Sequence, residues 1–383
     1  MIEPISTSAV GPRNRKAVGF FLPRPDRIVI GWIVAIKVLL FLFGAVAFQV
    51  LENKRVVGIH GLLGIWNRWD APAYQRLAQF GYSMTGEFKS WFYPMLPWTQ
   101  RLVAFFCRDY VVSAFLVSAM ASVAAAMLLR RVVELDFSPR IALRSVWFFL
   151  IFPTSYFLHV GYTESLFLSL ALGCILAART QWWWVAGLLG GLACMTRANG
   201  LVLGPTLAVE IVQQYLSNRR LRWQWLWIGL IPLGFGVYLF NNWLVAGNAF
   251  AFLQLRKELF SAEIAWPGVG VRNAIASFSS EPAQDQIFGA QEIIFTALGF
   301  AGTIATWIKL RPLYGMWMSG NWLLCSSVTF LSGMPRYTLV LFPIYVLFAL
   351  LASNRIWNAL ITVWSLFFLA LFSSLFAWGH WAF

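Results

Sequence analysis

Apolar runs close to the length of a bilayer crossing recur from one end of this 383-residue chain to the other, and no other feature narrows its possible folds as much. A helix needs about 20 apolar residues to cross the hydrocarbon layer. In lipid the backbone polar groups must be satisfied within the segment, so such runs are expected to be helices. Charged residues make up 11% of the sequence and the mean hydropathy is +0.68. Soluble domains carry roughly a quarter charged residues, so water is not the solvent for most of this surface.

The expected fold class is an all-α polytopic membrane protein with about 11 transmembrane helices. Spans are placed near 28–48, 111–129, 143–159, 163–178, 183–197, 199–216, 224–244, 290–308, 313–332, 337–352 and 356–378. Residues 1–27 read as a cytoplasmic N-terminal tail and 28–383 as a single transmembrane domain with two long extracytoplasmic loops, 49–110 and 246–289. The first run is longer than a signal-peptide core, so it is expected to stay as an uncleaved anchor despite Ala45-Val46-Ala47. Loop 49–110 interleaves Trp, Phe and Tyr with charges, a composition suited to short helices in the interface. Loop 246–289 is expected to be irregular or mobile.

With the N-terminus inside, 16 of the 29 Lys and Arg fall on the inner segments. Among them are Arg130, Arg131, Arg179, Arg219, Arg220 and Arg311. Ten of the twelve outer cations lie in the two long loops, where the positive-inside rule counts weakly. Only Arg197 and Arg336 occupy short outer turns. This places the net charge of +14 in membrane-flanking loops, not on a nucleic-acid surface. Cys107, Cys174, Cys194 and Cys325 have no ligand or disulfide spacing. His60, His159 and His380 have no metal spacing either. No phosphate-cradling glycine loop appears, so a soluble nucleotide donor is not expected.

Four polar residues then stand out on one predicted face. Asp70, in Trp69-Asp70-Ala71-Pro72, suits a helix N-cap, with Pro72 in the first turn and Gly81 at the stop. A rigidly held carboxylate there is also a candidate base. Glu164, in Tyr162-Thr163-Glu164-Ser165, suits a helix start, where an acid complements the dipole. Arg197, in Thr196-Arg197-Ala198-Asn199-Gly200, fits ordinary C-terminal capping. Arg336, in Gly333-Met334-Pro335-Arg336-Tyr337, starts a helix, where the dipole disfavours a cation. An anion should therefore compensate it, either Asp70, Glu164 or a bound phosphate, onto which a guanidinium forks.

These segments, taken in order, resemble the GPI mannosyltransferase II (PIG-V type) family, including its bacterial members, within the GT-C superfamily. Trp69-Asp70 with Tyr74, Leu77-Ala78 and Gly81-Tyr82 is similar to the first-loop signature. Phe92-Tyr93-Pro94-Met95-Leu96-Pro97 resembles the aromatic-proline segment. Phe152-Pro153 with Tyr162-Thr163-Glu164-Ser165-Leu166-Phe167 is similar to the FP…Y(S/T)ESLF block. Arg197-Ala198-Asn199-Gly200 is similar to the RxNG turn, and Arg336-Tyr337 to the late RY element. Gln75 departs from the pattern, standing where the family often has an apolar residue.

The resemblance implies a GT-C-like membrane enzyme that moves a sugar, typically mannose, from a polyprenyl-phosphate carrier to an extracytoplasmic acceptor. Asp70 would be the general base of an inverting transfer. Trp69, Tyr74, Glu164, Arg197, Asn199, Arg336 and Tyr337 would bind substrate, Glu164 by holding sugar hydroxyls or orienting an arginine. Arg336, with Arg197 or the Arg256-Lys257 pair as alternatives, would take the lipid phosphate. No metal or other cofactor is expected, because one first-loop acid without a DxD or ExD pair is a poor magnesium site. The expected partners are the lipid-linked donor, membrane lipids and an acceptor, with no nucleic acid. The expected location is a bacterial cytoplasmic membrane, with the site outside. The rival readings are a polytopic transporter or lipid flippase, for which two related halves are expected but none is seen, and a structural subunit of a membrane complex.

In a cysteine-free background, Lys89→Cys should react with a membrane-impermeant maleimide in intact cells, and Arg220→Cys only after permeabilisation. The opposite labelling pattern overturns the assigned orientation.

Overall fold

The structure, a computed structural model, describes residues 23–83, 92–260, 263–278 and 283–381. Most of the expected tail, residues 1–22, lies outside the described residues. The first span is α1 (Arg24–Glu52), and the first long loop contains α2 (Gly58–Gly64), α3 (Asp70–Phe80) and α4 (Met95–Cys107). There follow α5 (Tyr110–Glu134), α6 (Pro139–Ile151), α7 (Glu164–Arg179), α8 (Trp183–Cys194), α9 (Leu203–Asn218) and α10 (Leu230–Ala246). After them come α11 (Ala251–Phe260), α12 (Val269–Phe278), α13 (Ala283–Lys309), α14 (Pro312–Ser326), α15 (Met334–Thr338), α16 (Pro343–Leu351) and α17 (Arg355–Trp378). Among the described residues the extended structure is limited to one antiparallel bridge, Ile264 with Val328.

Local chemistry sets many of these ends. The Asp109 side chain accepts the Val112 N–H at 2.9 Å and caps α5, and Asn354 does the same for α17 through Ile356. Prolines open α6, α14 and α16, where a missing N–H costs nothing. The loop expected to be irregular instead contains α11 and α12, ten residues each. Their apolar residues spaced three and four apart, such as Ala251 with Leu255 and Val271 with Ala274, outweigh the local Pro and Gly signals.

Among the described residues, five helical segments are long and apolar enough to cross a membrane: Arg24–Glu52, Tyr110–Glu134, Trp223–Ala246, Gly289–Lys309 and Arg355–Trp378. The remaining expected spans are shorter or interrupted. The 143–159 run breaks after Ile151, ahead of Pro153, and continues as a 3₁₀ turn, Ser155–Leu158. The 337–352 run divides between α15 and α16, with Pro343 restarting the helix. Proline removes a backbone donor at both breaks, and at Pro153 the preceding Phe152 also leaves helical backbone, with ψ 145°.

Packing runs α5 on α7, α7 on α8 and α8 on α10, with α6 against α16 and α17 returning to α1. The α8–α10 crossing is backbone to backbone. A Cβ on Gly234 would lie 1.9 Å from the Gly191 carbonyl oxygen, and one on Gly187 would lie 2.2 Å from that of Trp227, in the 3₁₀ turn that leads into α10. Gly187 and Gly191 form the small-xxx-small spacing that permits such an approach in membranes.

Residues assigned from sequence to the inner face converge on one end of the bundle. Arg130 pairs with Asp26 at 2.6 Å, Arg179 with Asp136 at 2.8 Å, and Arg311 with Glu210 at 3.2 Å. Tyr314 donates its hydroxyl to Asp136 at 2.8 Å. The residues assigned to the other face meet one another as well, and none of them enters this cluster.

Because the Gly234 obstruction is main chain and cannot rotate away, Gly234→Ala should destabilise the bundle by about 1–3 kcal/mol in thermal or denaturant unfolding in detergent. Unchanged stability would show that α8 and α10 can separate at no cost.

Candidate active site

The site is built at the turn that leads into α3. Asp70 is the first residue of that helix, and Trp69 occupies the capping position without a side-chain cap bond. The Asp70 carboxylate is therefore not spent on capping, contrary to the simplest sequence expectation. Trp69 has φ 55° and ψ −111°, a region that a large side chain rarely enters. The surroundings hold it there. The Tyr162 hydroxyl donates to the Arg68 carbonyl at 2.9 Å and accepts the Asp70 N–H at 3.3 Å, bridging the strained residue. Gln75, the departure from the family pattern, forms a reciprocal amide pair with Asn67 at 3.0 and 2.8 Å, which braces the same turn.

Asp70 then faces Arg336, whose Nη1 donates to Oδ2 at 3.0 Å. The Nε of Arg336 donates to Glu164 Oε1 at 2.5 Å, and Arg197 Nη1 donates to the same oxygen. Glu164 is fully buried, whereas the Asp70 side chain keeps 40% of its surface. The Arg336 guanidinium also lies over the ring of Tyr162 at 4.6 Å and of Phe157 at 5.0 Å, and Arg197 over Tyr337 at 5.4 Å. Such faces stabilise a cation taken out of water. The anion expected beside Arg336 is thus two carboxylates, 266 and 172 positions away in the chain.

A cavity of about 300 Å³ opens against this cluster. Asp70, Thr163, Arg197, Asn199, Arg336 and Tyr337 line its polar part. Phe92, Tyr93, Tyr238, Phe252 and Phe330 line an aromatic part, with Tyr93 and Tyr238 stacked at 3.9 Å. Tyr74 lines the cavity edge-on to Phe92. Burial, with the Asp70 charge adding to it, pushes its phenol well above the usual range, so it stays a hydroxyl donor. Asn199 is fixed by donating to Asn321 at 2.8 Å.

Other sequence candidates fall elsewhere. Glu164 lies behind the two arginines and does not line the cavity, a position suited to orienting them. Trp69 is also off the wall, packed edge-on to Trp381, which does line it. Lys257 is exposed, pairs with Glu263 at 2.7 Å and is not in the lining. Arg256 belongs to α11, but its side chain lies outside the described residues. Among the described residues no group of three His, Cys, Asp or Glu could hold a metal. Tyr238, Phe252 and Trp381 were not legible as site residues, because each is one aromatic in a chain with many. Only the crossing of α8 with α10 and the return of α17 bring them here.

Residues 93–243 match the model of the dolichyl-phosphate-mannose-protein mannosyltransferase family. A stretch of 155 residues, 38% of this chain, is 33% identical to mouse (Mus musculus) GPI alpha-1,6-mannosyltransferase 2. Another of 150 residues is 31% identical to GPI mannosyltransferase 2 of Yarrowia lipolytica. Over these stretches the chain is similar to GPI mannosyltransferase 2 proteins. The matched stretch spans 31% of the mouse protein's length and 42% of the yeast protein's. Among solved structures, the archaeal oligosaccharyltransferase AglB from Archaeoglobus fulgidus is similar over 90% of this chain and 56% of its own, with TM-score 0.45 and 11% identity. ArnT from Cupriavidus metallidurans is similar over 87% and 62%, with TM-score 0.44 and 16% identity.

Removing the shared carboxylate would leave two buried guanidinium groups without their common partner. Glu164→Ala should therefore cost about 3–5 kcal/mol of stability. A Tm within a degree of wild type would mean that Arg197 and Arg336 find equivalent partners.

Proposed function

We propose that this chain is a membrane mannosyltransferase that takes its sugar from a polyprenyl-phosphate carrier and delivers it to an extracytoplasmic acceptor. The observation that carries the reading is the 3.0 Å contact between Asp70 and Arg336 on the wall of one cavity. It joins a candidate base to a candidate phosphate holder, and the relatives named above are mannosyltransferases by name. The reading includes the full eleven-span topology, the N-terminus in the cytoplasm and the site at the opposite face, in a bacterial cytoplasmic membrane.

The transfer is a single displacement with inversion. The acceptor hydroxyl oxygen forms a bond to the anomeric carbon as the bond from that carbon to the phosphate oxygen breaks. Its proton passes to Asp70, and the electron pair leaves on the phosphate. As the phosphate goes from diester to monoester its negative charge grows, and cations already in place stabilise that change most effectively. Arg336 and Arg197 are the groups on the cavity wall able to supply it. With two acids and two arginines, the resting cluster has no excess charge. A phosphate bound at Arg336 shares that guanidinium with Asp70.

The aromatic part of the cavity suits a sugar face or the first units of a prenyl chain. Asn199, Tyr74 and Tyr337 offer amide and hydroxyl groups to the sugar. No step requires a metal, since the arginines provide the positive charge.

Purified Asp70→Asn protein should lose about 10²–10⁴-fold in mannose transfer from labelled polyprenyl-phosphate-mannose. It should keep wild-type melting and membrane insertion. Near-normal turnover would remove Asp70 from the role of base, and movement of intact donor across vesicles without transfer would favour a flippase.

A further inference from the structure

One buried carboxylate belongs to none of the sequence motifs and does not touch the cavity. Glu292, in α13, is 0% exposed. Its two oxygens accept the backbone N–H groups of Gly333 at 2.8 Å and Met334 at 2.9 Å. Among the described residues no Lys, Arg or His forms an ion pair with it. A carboxylate withdrawn from water without a cation is costly unless strong hydrogen bonds replace its hydration. Here a fork of two main-chain donors at the start of α15 supplies those hydrogen bonds.

The two amides belong to the turn that delivers Arg336. Gly333 has φ +89°, which a side chain would strain, and it lines the cavity. The next residues are held as well. The buried Thr154 hydroxyl donates to the Pro335 carbonyl at 2.9 Å, and Thr338 donates to that of Met334 at 2.7 Å. Gly333, Met334 and Pro335 are thus each bound through a main-chain group, two of them by α13 and one by the break after α6. Arg336 follows directly, its guanidinium reaching Asp70 and Glu164.

We infer that Glu292 is a positioning residue for Arg336, acting through the Gly333–Met334 backbone to set where the guanidinium meets the phosphate. The inference rests on the transferase reading for its effect on rate, but not for its effect on the turn. Glu292 has no role in proton transfer, because both its oxygens are bound to amides and neither reaches the cavity wall.

The test uses the full-length protein with Glu292→Gln, which keeps the shape and one acceptor but sets an amide NH₂ against the second N–H. Amide hydrogen exchange of segment 333–338 should rise about tenfold, while that of α5 stays as in wild type. Per folded molecule, kcat for mannose transfer from polyprenyl-phosphate-mannose should fall about tenfold, with the larger change in kcat and not in KM. Combining Glu292→Gln with Arg336→Lys should add little to the loss caused by Arg336→Lys alone, because both act through one group. Unchanged exchange in segment 333–338 overturns the inference, whatever the activity. Wild-type kcat in Glu292→Gln, or losses that simply multiply in the double variant, overturn it too. A wild-type protein that transfers no mannose while exchange still responds to Glu292→Gln rejects the transferase reading alone.

Discussion

One carboxylate oxygen, Oε1 of Glu164, receives hydrogen bonds from two arginines that come from separate parts of the chain. Charges removed from water are tolerated only when their partners are close and well oriented. That requirement ties the start of α7 to the turn before α9 and to α15. Through Arg336 it also ties in the start of α3. The rest of the site inherits its geometry from this node. Asp70 can face the cavity because Arg336 is already anchored at its other end, and Tyr162 supports the cluster twice, with its ring under the guanidinium and its hydroxyl bridging Trp69.

The broken helices have the same origin. Lipid-exposed backbone must be helical, whereas irregular backbone at membrane depth is tolerated where protein surrounds it or a cavity adjoins it. The long helices α1 and α17 leave many apolar side chains exposed. The breaks lie inside. Residues 152–163 are buried throughout, and the segments around Arg197 and 327–333 border the cavity. At each break a main-chain group is released from helical pairing and is taken up by a side chain, as Gly333 and Met334 are by Glu292. The chain gives up helical continuity at the points where it needs side chains from many segments to converge.

Some elements were legible in advance for clear reasons. Alternating runs and basic turns separated Asp70, Glu164, Arg197 and Arg336 from Arg130, Arg179 and Arg311, and the two groups do form separate clusters. The dipole conflict at Arg336 pointed to an anionic partner. Three things were hidden. Spans counted from hydropathy do not reveal where proline interrupts a run, as at Pro153 and Pro343. Loop 246–289 contains two helices whose short apolar patterns are masked by Trp266-Pro267-Gly268. Glu292 sits in an apolar run where nothing nearby in sequence marks its partners.

The sequence by itself determined the solvent and the grouping of charges by face, because burial in lipid and the placement of cations are properties of composition along the chain. It also determined the residue types available for chemistry. The tertiary structure alone decided that Asp70 does not cap its own helix, that Glu164 stands behind the arginines and not against the cavity, and that Tyr238, Phe252 and Trp381 complete the wall. These are matters of position to within an ångström or two between residues far apart in the chain. Such distances depend on how helices cross, as Gly191 and Gly234 let α8 and α10 do, and no local pattern encodes them.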